Sequence, residues 1–245
     1  MKTLLVSSGK GGVGKSSLAT AIALTMRHVL GVEKVGIFDA DLHGSSIPTL
    51  MGLEESGNAE ASASLTRTNY EVQCTSIEFC TSKPRGPIAW RGLMQTKGIG
   101  DLWQRAEWKN GPLDLCVVDL PPGTGDIHMT FGALVKEKAS LICISTPDSL
   151  AKRSAVKGVE LFKLMKGIPL IGTVYNMVHW ECYKCGAVND ASAREENMKD
   201  EIGLPILGRL PFKRGIATLP LQKQERESPA MRELISICHK ILKQL

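Results

Sequence analysis

Apolar positions recur along this chain in two periods. Short, nearly continuous runs (Lys2 to Ser8, Lys34 to Phe38, Leu113 to Leu120, Ser140 to Ser145 and Pro169 to Val174) are rich in Val, Ile and Leu and predict strands buried on both faces. Longer stretches with helical spacing lie between them. Leu18, Ala19, Ile22, Ala23 and Met26 share one stripe between Ser16 and Leu30. Ala155, Val159, Phe162 and Met165 share another between Ser149 and Lys166, with Lys152, Lys157 and Lys163 off it. Most of the strands sit roughly 25–35 residues apart, the spacing of repeated βαβ units. The pattern therefore predicts an α/β fold, doubly wound, with a mostly parallel sheet and helices on both faces, in a single domain over 1–245. The stretch from Glu54 to Asn69 is small and polar and reads as a surface loop. Arg232 to Leu245 carries Leu234, Ile235, Ile241, Leu242 and Leu245 beside Lys240 and Lys243, which fits a helix docked on its own domain or one lying on lipid.

Composition narrows the function classes. A chain of 245 residues with 43% hydrophobic content needs no covalent staple, because at this size folding buries roughly 70–75% of the unfolded surface. The seven cysteines are odd in number and follow no leader-like segment, which argues for a reducing, cytoplasmic setting over a disulfide framework. No apolar run approaches the roughly 18 residues of a membrane span. The net charge of +5 is mild, and with few aromatics and no dense basic run it does not predict dedicated nucleic-acid binding.

Candidate chemistry begins directly after the first strand, at Gly9-Lys10-Gly11-Gly12-Val13-Gly14-Lys15-Ser16-Ser17. Glycines here let successive backbone N–H groups wrap a phosphate at a helix N-terminus, Lys15 neutralises the β- and γ-phosphates, and Ser16 ligates Mg²⁺. Lys10 is an additional charge that such a loop does not require; its side chain projects away from its own nucleotide or across it. Two further strands end in carboxylates, Asp39-Ala40-Asp41 and Asp119-Leu120-Pro121-Pro122-Gly123-Thr124-Gly125-Asp126. Asp119 is expected to hold the Mg²⁺ shell, Gly123 to hinge a loop that senses the γ-phosphate, and Asp41 to orient the attacking water, with Asp39 sharing the metal's outer shell. The order of the Asp39 and Asp41 roles stays open.

Cys182-Tyr183-Lys184-Cys185-Gly186 places two thiols three positions apart in the loop of about 176–190. Two such thiols grip one metal centre, yet zinc and iron–sulfur centres usually take four ligands, and the chain has no second Cys-x-x-Cys. The missing pair is then supplied by another subunit, which predicts a symmetric dimer. Spacing alone leaves a redox dithiol, an intersubunit zinc and a cluster equally open. Cys116, Cys143 and Cys238 sit on apolar stripes and read as core, while Cys74 and Cys80, in a presumed strand region, stay unassigned.

The P-loop with its extra lysine resembles the deviant Walker A ATPases, the MinD and ParA superfamily, and several segments narrow the resemblance to its Mrp/NBP (ApbC-like) branch of iron–sulfur cluster carrier ATPases. They are Asp39 to Pro48 followed by Met51-Gly52-Leu53, Trp90-Arg91-Gly92, Asp119 to Asp126, Ser145-Thr146-Pro147, Tyr175-Asn176-Met177 and the cysteine pair, over residues 3 to about 215. The resemblance implies a slowly hydrolysing ATPase in which Lys10 reaches the phosphates of the opposite subunit and Asn176 contacts adenine. It also implies a homodimer with a labile 4Fe-4S cluster bridged by Cys182 and Cys185, handed to apo iron–sulfur client proteins. A heteromeric family partner is a further implied possibility, and membrane contact is not expected. The chain departs from the family pattern at Asp148, which replaces Gln, at Lys213, which replaces Asp, and in the short, charged segment from Ala187 to Ile202. Two other functions compete with the carrier: a positioning or partitioning ATPase acting on membrane or DNA, and a zinc-clamped structural dimer.

Overall fold

In the computed structural model the described residues are all but 43, 54–65, 81–91, 183, 186 and 192–200, with backbone alone at 80 and 92–95. The order is β1 (Lys2–Ser8), α1 (Lys15–His28), β2 (Val35–Asp39), α2 (Ile47–Leu50), β3 (Thr66–Asn69), β4 (Val72–Thr75), α3 (Gly92–Arg105), β5 (Leu115–Asp119), α4 (Asp126–Val135), β6 (Ala139–Ser145), α5 (Ser149–Met165), β7 (Leu170–Tyr175), β8 (His179–Glu181), β9 (Val188–Asp190), β10 (Ile206–Arg209) and α6 (Pro229–Leu242). The main sheet runs β10-β7-β6-β1-β5-β2-β4-β3, parallel throughout except for β3 on the outer edge. β8 and β9 form a separate two-stranded sheet.

Alternation along the central strands sorts the side chains into cores on opposite faces. Leu4 and Val6 of β1 join α1 and α6 in one core, while Leu5 turns the other way to meet Ile99 and Leu102 of α3 and Ile127 and Phe131 of α4. A third cluster packs α5 residues Ala155 and Val159 on Cys143, Tyr175 and Leu204. The doubly wound fold is thus the one expected, and each of the five anticipated strands is present to within two residues. The chain runs out from β1 to β2 and β4, returns to insert β5 beside β1, and continues on β1's other side through β6, β7 and β10. That reversal leaves a crevice at the carboxyl ends of β1, β5 and β2, where open parallel sheets bind ligands.

Three expectations change. The polar stretch ending at Asn69 is not loop to its end, because residues 66–69 pair with β4; residues 54–65 lie outside the described set. Lys152 does not lie on a solvated face: it is 2% exposed, and its ammonium meets Glu201 at 3.0 Å, a partner from a segment that helical periodicity does not report. Cys80 closes a 3₁₀ turn over Ile77–Cys80 and does not belong to a strand. The terminal helix docks on its own domain, as its apolar stripe suggested, since Leu234 and Ile241 are fully buried in the α1 core and Lys240 donates to the Leu207 carbonyl at 2.6 Å. No described helix is long and apolar enough to cross a membrane.

Candidate nucleotide site and cysteine hairpin

The loop from Gly9 to Gly14 joins β1 to α1. Gly12 and Gly14 take φ of +83° and +82°, a region costly for other residues. A Cβ on Gly11 or Gly12 would meet nothing within 4 Å, so both face open space as a cradle for phosphate requires. Gly9 serves packing instead: a Cβ there would lie 2.1 Å from the backbone of Ser154 and Ala155 in α5. Val13 is buried under the loop, and Ser16 and Ser17 occupy the half-buried first turn of α1.

Lys15 is 6% exposed, and its Nζ donates to Asp119 Oδ1 at 2.7 Å and to Ser16 Oγ at 3.2 Å. Asp119 is fully buried; burial pushes its carboxyl above the ordinary range, against the charge and hydrogen bond of Lys15. Its Oδ2 is buried with no hydrogen-bond partner. An orphaned carboxylate oxygen beside a serine hydroxyl and an open glycine cradle is a donor set suited to Mg²⁺ with a nucleotide phosphate. Lys10 is exposed and pairs with Asp148 Oδ1 at 3.3 Å, an atom that also caps α5 by accepting from Ala151 N–H.

Asp39 and Asp119 lie directly across from each other at the ends of β2 and β5. Asp39 accepts from Asp41 N–H (3.1 Å), Ser45 Oγ (2.6 Å) and Ile47 N–H (3.3 Å), so both of its oxygens tie down the segment after β2. Burial, then the Asp119 charge, pushes its carboxyl up to about 7. Asp41, 9% exposed, accepts from Gly44 N–H at 3.0 Å. The arrangement makes Asp39 the staple of this segment. Gly123, with φ of +88°, donates its N–H to the Ser8 carbonyl at 2.8 Å and so rests against the start of the phosphate loop.

Asn176 follows β7 and is 3% exposed, with Nδ2 donating to the Val13 carbonyl at 2.9 Å. The bare Cα of Gly14 makes room for it, because a Cβ there would come within 2.4 Å of that nitrogen. The family resemblance assigns Asn176 to adenine; bracing the loop is a contact that motif spacing does not report. Three residues later β8 starts the hairpin that carries the cysteines. Its strands are anchored by Phe212 N–H to the His179 carbonyl (2.7 Å) and Ala191 N–H to the Val178 carbonyl (2.8 Å). Within it Cys182 N–H meets the Ala187 carbonyl at 2.9 Å. The N–H groups of Lys184 and Cys185, then the Cys185 thiol, point at Cys182 sulfur and hold its thiol below the ordinary range. Cys185 is exposed and Cys182 half-buried. Among the described residues no group of three or more metal-binding side chains gathers, so the pair falls short of a complete site.

The remaining described cysteines behave as core. Cys74, Cys116, Cys143 and Cys238 are buried, and burial pushes the thiols of Cys143 and Cys238 up to about 12. Lys213, where the family pattern has Asp, pairs with Glu225 at 2.7 Å. Trp90, Arg91 and most of the charged segment after the cysteine pair lie outside the described residues.

Comparison with known proteins agrees with this layout. The NUBPL iron-transfer P-loop NTPase profile of the ParA family matches residues 1–242. The iron–sulfur cluster transfer protein NUBPL of Mus musculus is 36% identical over 86% of this chain, which spans 66% of that protein. The NUBPL protein of Dictyostelium discoideum is 34% identical over 99% of this chain and 76% of its own length. The iron–sulfur cluster carrier protein of Methanocaldococcus jannaschii is 32% identical over 85% of this chain and 72% of its own. Among solved structures, a nucleotide-binding protein of Archaeoglobus fulgidus in complex with ADP superposes with a TM-score of 0.66 at 28% identity, over 95% of this chain and 90% of that one. The septum site-determining protein MinD of Pyrococcus horikoshii, with a TM-score of 0.68 at 17% identity over 99% and 96% of the two chains, shares the fold alone. With a family profile running from end to end over a P-loop, two strand-end carboxylates and a cysteine pair, this chain belongs to the NUBPL iron-transfer P-loop NTPases of the ParA family.

Proposed function

We propose that this protein is an ATP-hydrolysing iron–sulfur cluster carrier that acts in the cytoplasm as a homodimer, holding a 4Fe-4S cluster as cargo between two cysteine hairpins and passing it to apo-proteins. The observation that carries this reading is the short connection between its two sites. Asn176 bonds the phosphate loop from below, and six residues later Cys182 sits in the hairpin. A change in the loop on nucleotide binding or hydrolysis is thereby felt at the base of the hairpin, which lets nucleotide bias how firmly the cluster is held.

Each side chain has a task in this reading. Lys15 and the N–H groups of the loop bind and orient the phosphates, while Ser16 and Asp119 hold Mg²⁺, which neutralises developing charge on the phosphate when bound. Asp41 positions water. Lys10, held outward by an exposed pair with Asp148, is free to exchange that partner for phosphate on a second subunit. The half-site of two thiols calls for a second copy, and the exposed apolar side chains near it, Trp180, Val188 and Phe212, are of the kind an interface covers.

Anaerobic reconstitution with iron and sulfide, followed by absorbance and iron counting, tests the reading. The wild type is expected to hold about four iron atoms per dimer, and Cys182→Ser or Cys185→Ser to hold background iron while still binding ATP. Equal iron in variant and wild type removes the proposal, and stoichiometric zinc after anaerobic purification supports the zinc-clamped dimer instead.

A further inference from the structure

His128 is a buried titratable side chain at the nucleotide end to which phosphate binding and metal binding assign nothing. It sits in the first turn of α4, directly behind the loop over 121–125, and is 1% exposed. Nδ1 accepts the Gly125 N–H at 3.2 Å, while the His128 N–H returns to the Gly125 carbonyl at 3.0 Å. Acceptance at Nδ1 places the ring proton on Nε2. Nε2 is buried with no hydrogen bond of ordinary geometry, and the Pro121 carbonyl is the other backbone group that interacts with the ring. The ring edge packs on Phe162 of α5 at 6.1 Å between centroids. α5 is the helix that abuts Gly9 and carries, at its cap, the Asp148 partner of Lys10.

A residue at this position commonly reaches back to cap its helix, and Glu or Gln does so from the surface. Capping accounts for Nδ1. It does not account for burying an imidazole whose second nitrogen is left unsatisfied, which is costly unless that nitrogen is used in another arrangement of the loop. We propose that His128 is a positioning residue for the loop over 121–125: its Nδ1 ties Gly125 in the arrangement seen here and its Nε2 takes up the Pro121 carbonyl in another, so that Gly123 moves between the Ser8 carbonyl and bound nucleotide as part of one unit.

Two observations support this beyond the ring's own bonds. Gly123 is held by a single backbone bond to Ser8, so its release needs no other main-chain hydrogen bond of its N–H to break. Burial first, with the charge of Lys15, keeps the ring less basic than ordinary histidine, opposed by the Pro121 and Gly125 carbonyls and the Asp41 charge; Phe162 faces it from α5 without charge. An uncharged ring keeps its Nδ1 lone pair for Gly125.

The inference rests on the ATPase reading, and the test separates the two. Amide exchange of the full-length protein is followed at 121–125 with and without a non-hydrolysable ATP analogue, for wild type, His128→Asn and His128→Phe, together with kcat, KM and imidazole ¹⁵N spectra. Phe keeps ring volume against Phe162 but has neither nitrogen; it is expected to speed exchange at 121–125 about tenfold, while β5 and the later turns of α4 stay protected. Asn retains an acceptor for Gly125 and is expected to fall between Phe and wild type. kcat falls in both and KM changes little. In the wild type the ring is expected to carry its proton on Nε2 at neutral pH. A proton on Nδ1, unchanged exchange at 121–125 in both variants, or exchange raised equally throughout the chain overturns the proposal; the wild-type spectrum decides it even if neither variant folds. If the loop responds as expected but the wild type turns over no ATP, the ATPase reading fails and the positioning role stands.

Discussion

At the carboxyl ends of β1 and β5, Lys15 and Asp119 meet at 2.7 Å in a frame closed by α1, α5 and the loop after β7. At the β8–β9 hairpin, Trp180, Glu181, Lys184, Cys185 and every described residue from Ala187 to Ala191 are exposed. The first region is over-determined: each charged group that is buried has a partner or a vacant lone pair of obvious use. The second is a two-stranded sheet, a unit of marginal stability alone, fastened at its base and bare at its tip. On the proposed reading the first region is catalytic, which calls for preorganised charge, and the second gives up its cargo, which calls for a reachable and incomplete site. The contrast is physical before it is functional.

Four perturbations probe the contrast, from large effect to small. Lys15→Ala leaves the Asp119 carboxylate buried without its cation, and is expected to cost about 3–5 kcal/mol of stability and to lower ATP turnover by on the order of 10²–10³. Urea unfolding of this variant beside Lys15→Met/Asp119→Asn, which carries no buried charge, measures it; if the double variant is no more stable than the single, the buried-charge account is wrong. Reconstituted cluster per folded dimer is expected to change little in Lys15→Ala, because the hairpin does not depend on that charge.

Gly9→Ala comes next. Its Cβ has no room against the backbone of Ser154 and Ala155, so a loss of about 1–3 kcal/mol is expected, as for an overpacked core. Gly11→Ala, with open space before it, is expected to alter stability by less than about 0.5 kcal/mol while weakening ATP binding. Equal thermal shifts for the two would mean that α5 does not press on the loop.

At the hairpin, the Lys184 and Cys185 N–H groups hold the Cys182 thiol below its ordinary value. Its thiolate therefore persists to lower pH than that of a free cysteine and is lost only as pH falls further. Iodoacetamide labelling below the ordinary thiol range, read by peptide mass spectrometry, is expected to modify Cys182 ahead of Cys185 despite its lower exposure. Labelling of Cys185 first would show that these N–H groups do not act on Cys182. The smallest effect is expected from Asp148→Asn, which keeps an acceptor for the α5 cap and removes the charge facing Lys10. ATP-dependent dimerisation, followed by light scattering, should rise by a few-fold at most, and a fall would show that Asp148 helps the dimer form.

Much of this was legible before any coordinates. The strands are apolar runs that only burial on both faces explains, so their positions, and the aspartates that end β2 and β5, followed from composition along the chain. The same logic placed Cys116, Cys143 and Cys238 in the core, and the cysteine pair stood out by its Cys-x-x-Cys spacing outside any apolar strand. What was not legible depends on partners distant in sequence. Lys152 lies on a helix whose neighbours gave no warning of Glu201, and β3 hides in a polar segment because an edge strand needs only one partner.

The sequence by itself determined the doubly wound sheet, the phosphate loop and the spacing of the thiol pair, since periodicity and motif spacing are local properties of the chain. Tertiary structure alone decided that Gly9 exists for α5, that Asp39 staples the segment ahead of Asp41, that Asn176 braces the loop joined to the cysteine hairpin, and that His128 lies beneath the loop of Gly123. These are contacts between elements brought together by the packing of both sheet faces. Hydrogen bonds act over about 3 Å, and no pattern along the chain records which distant atoms folding will bring within that distance.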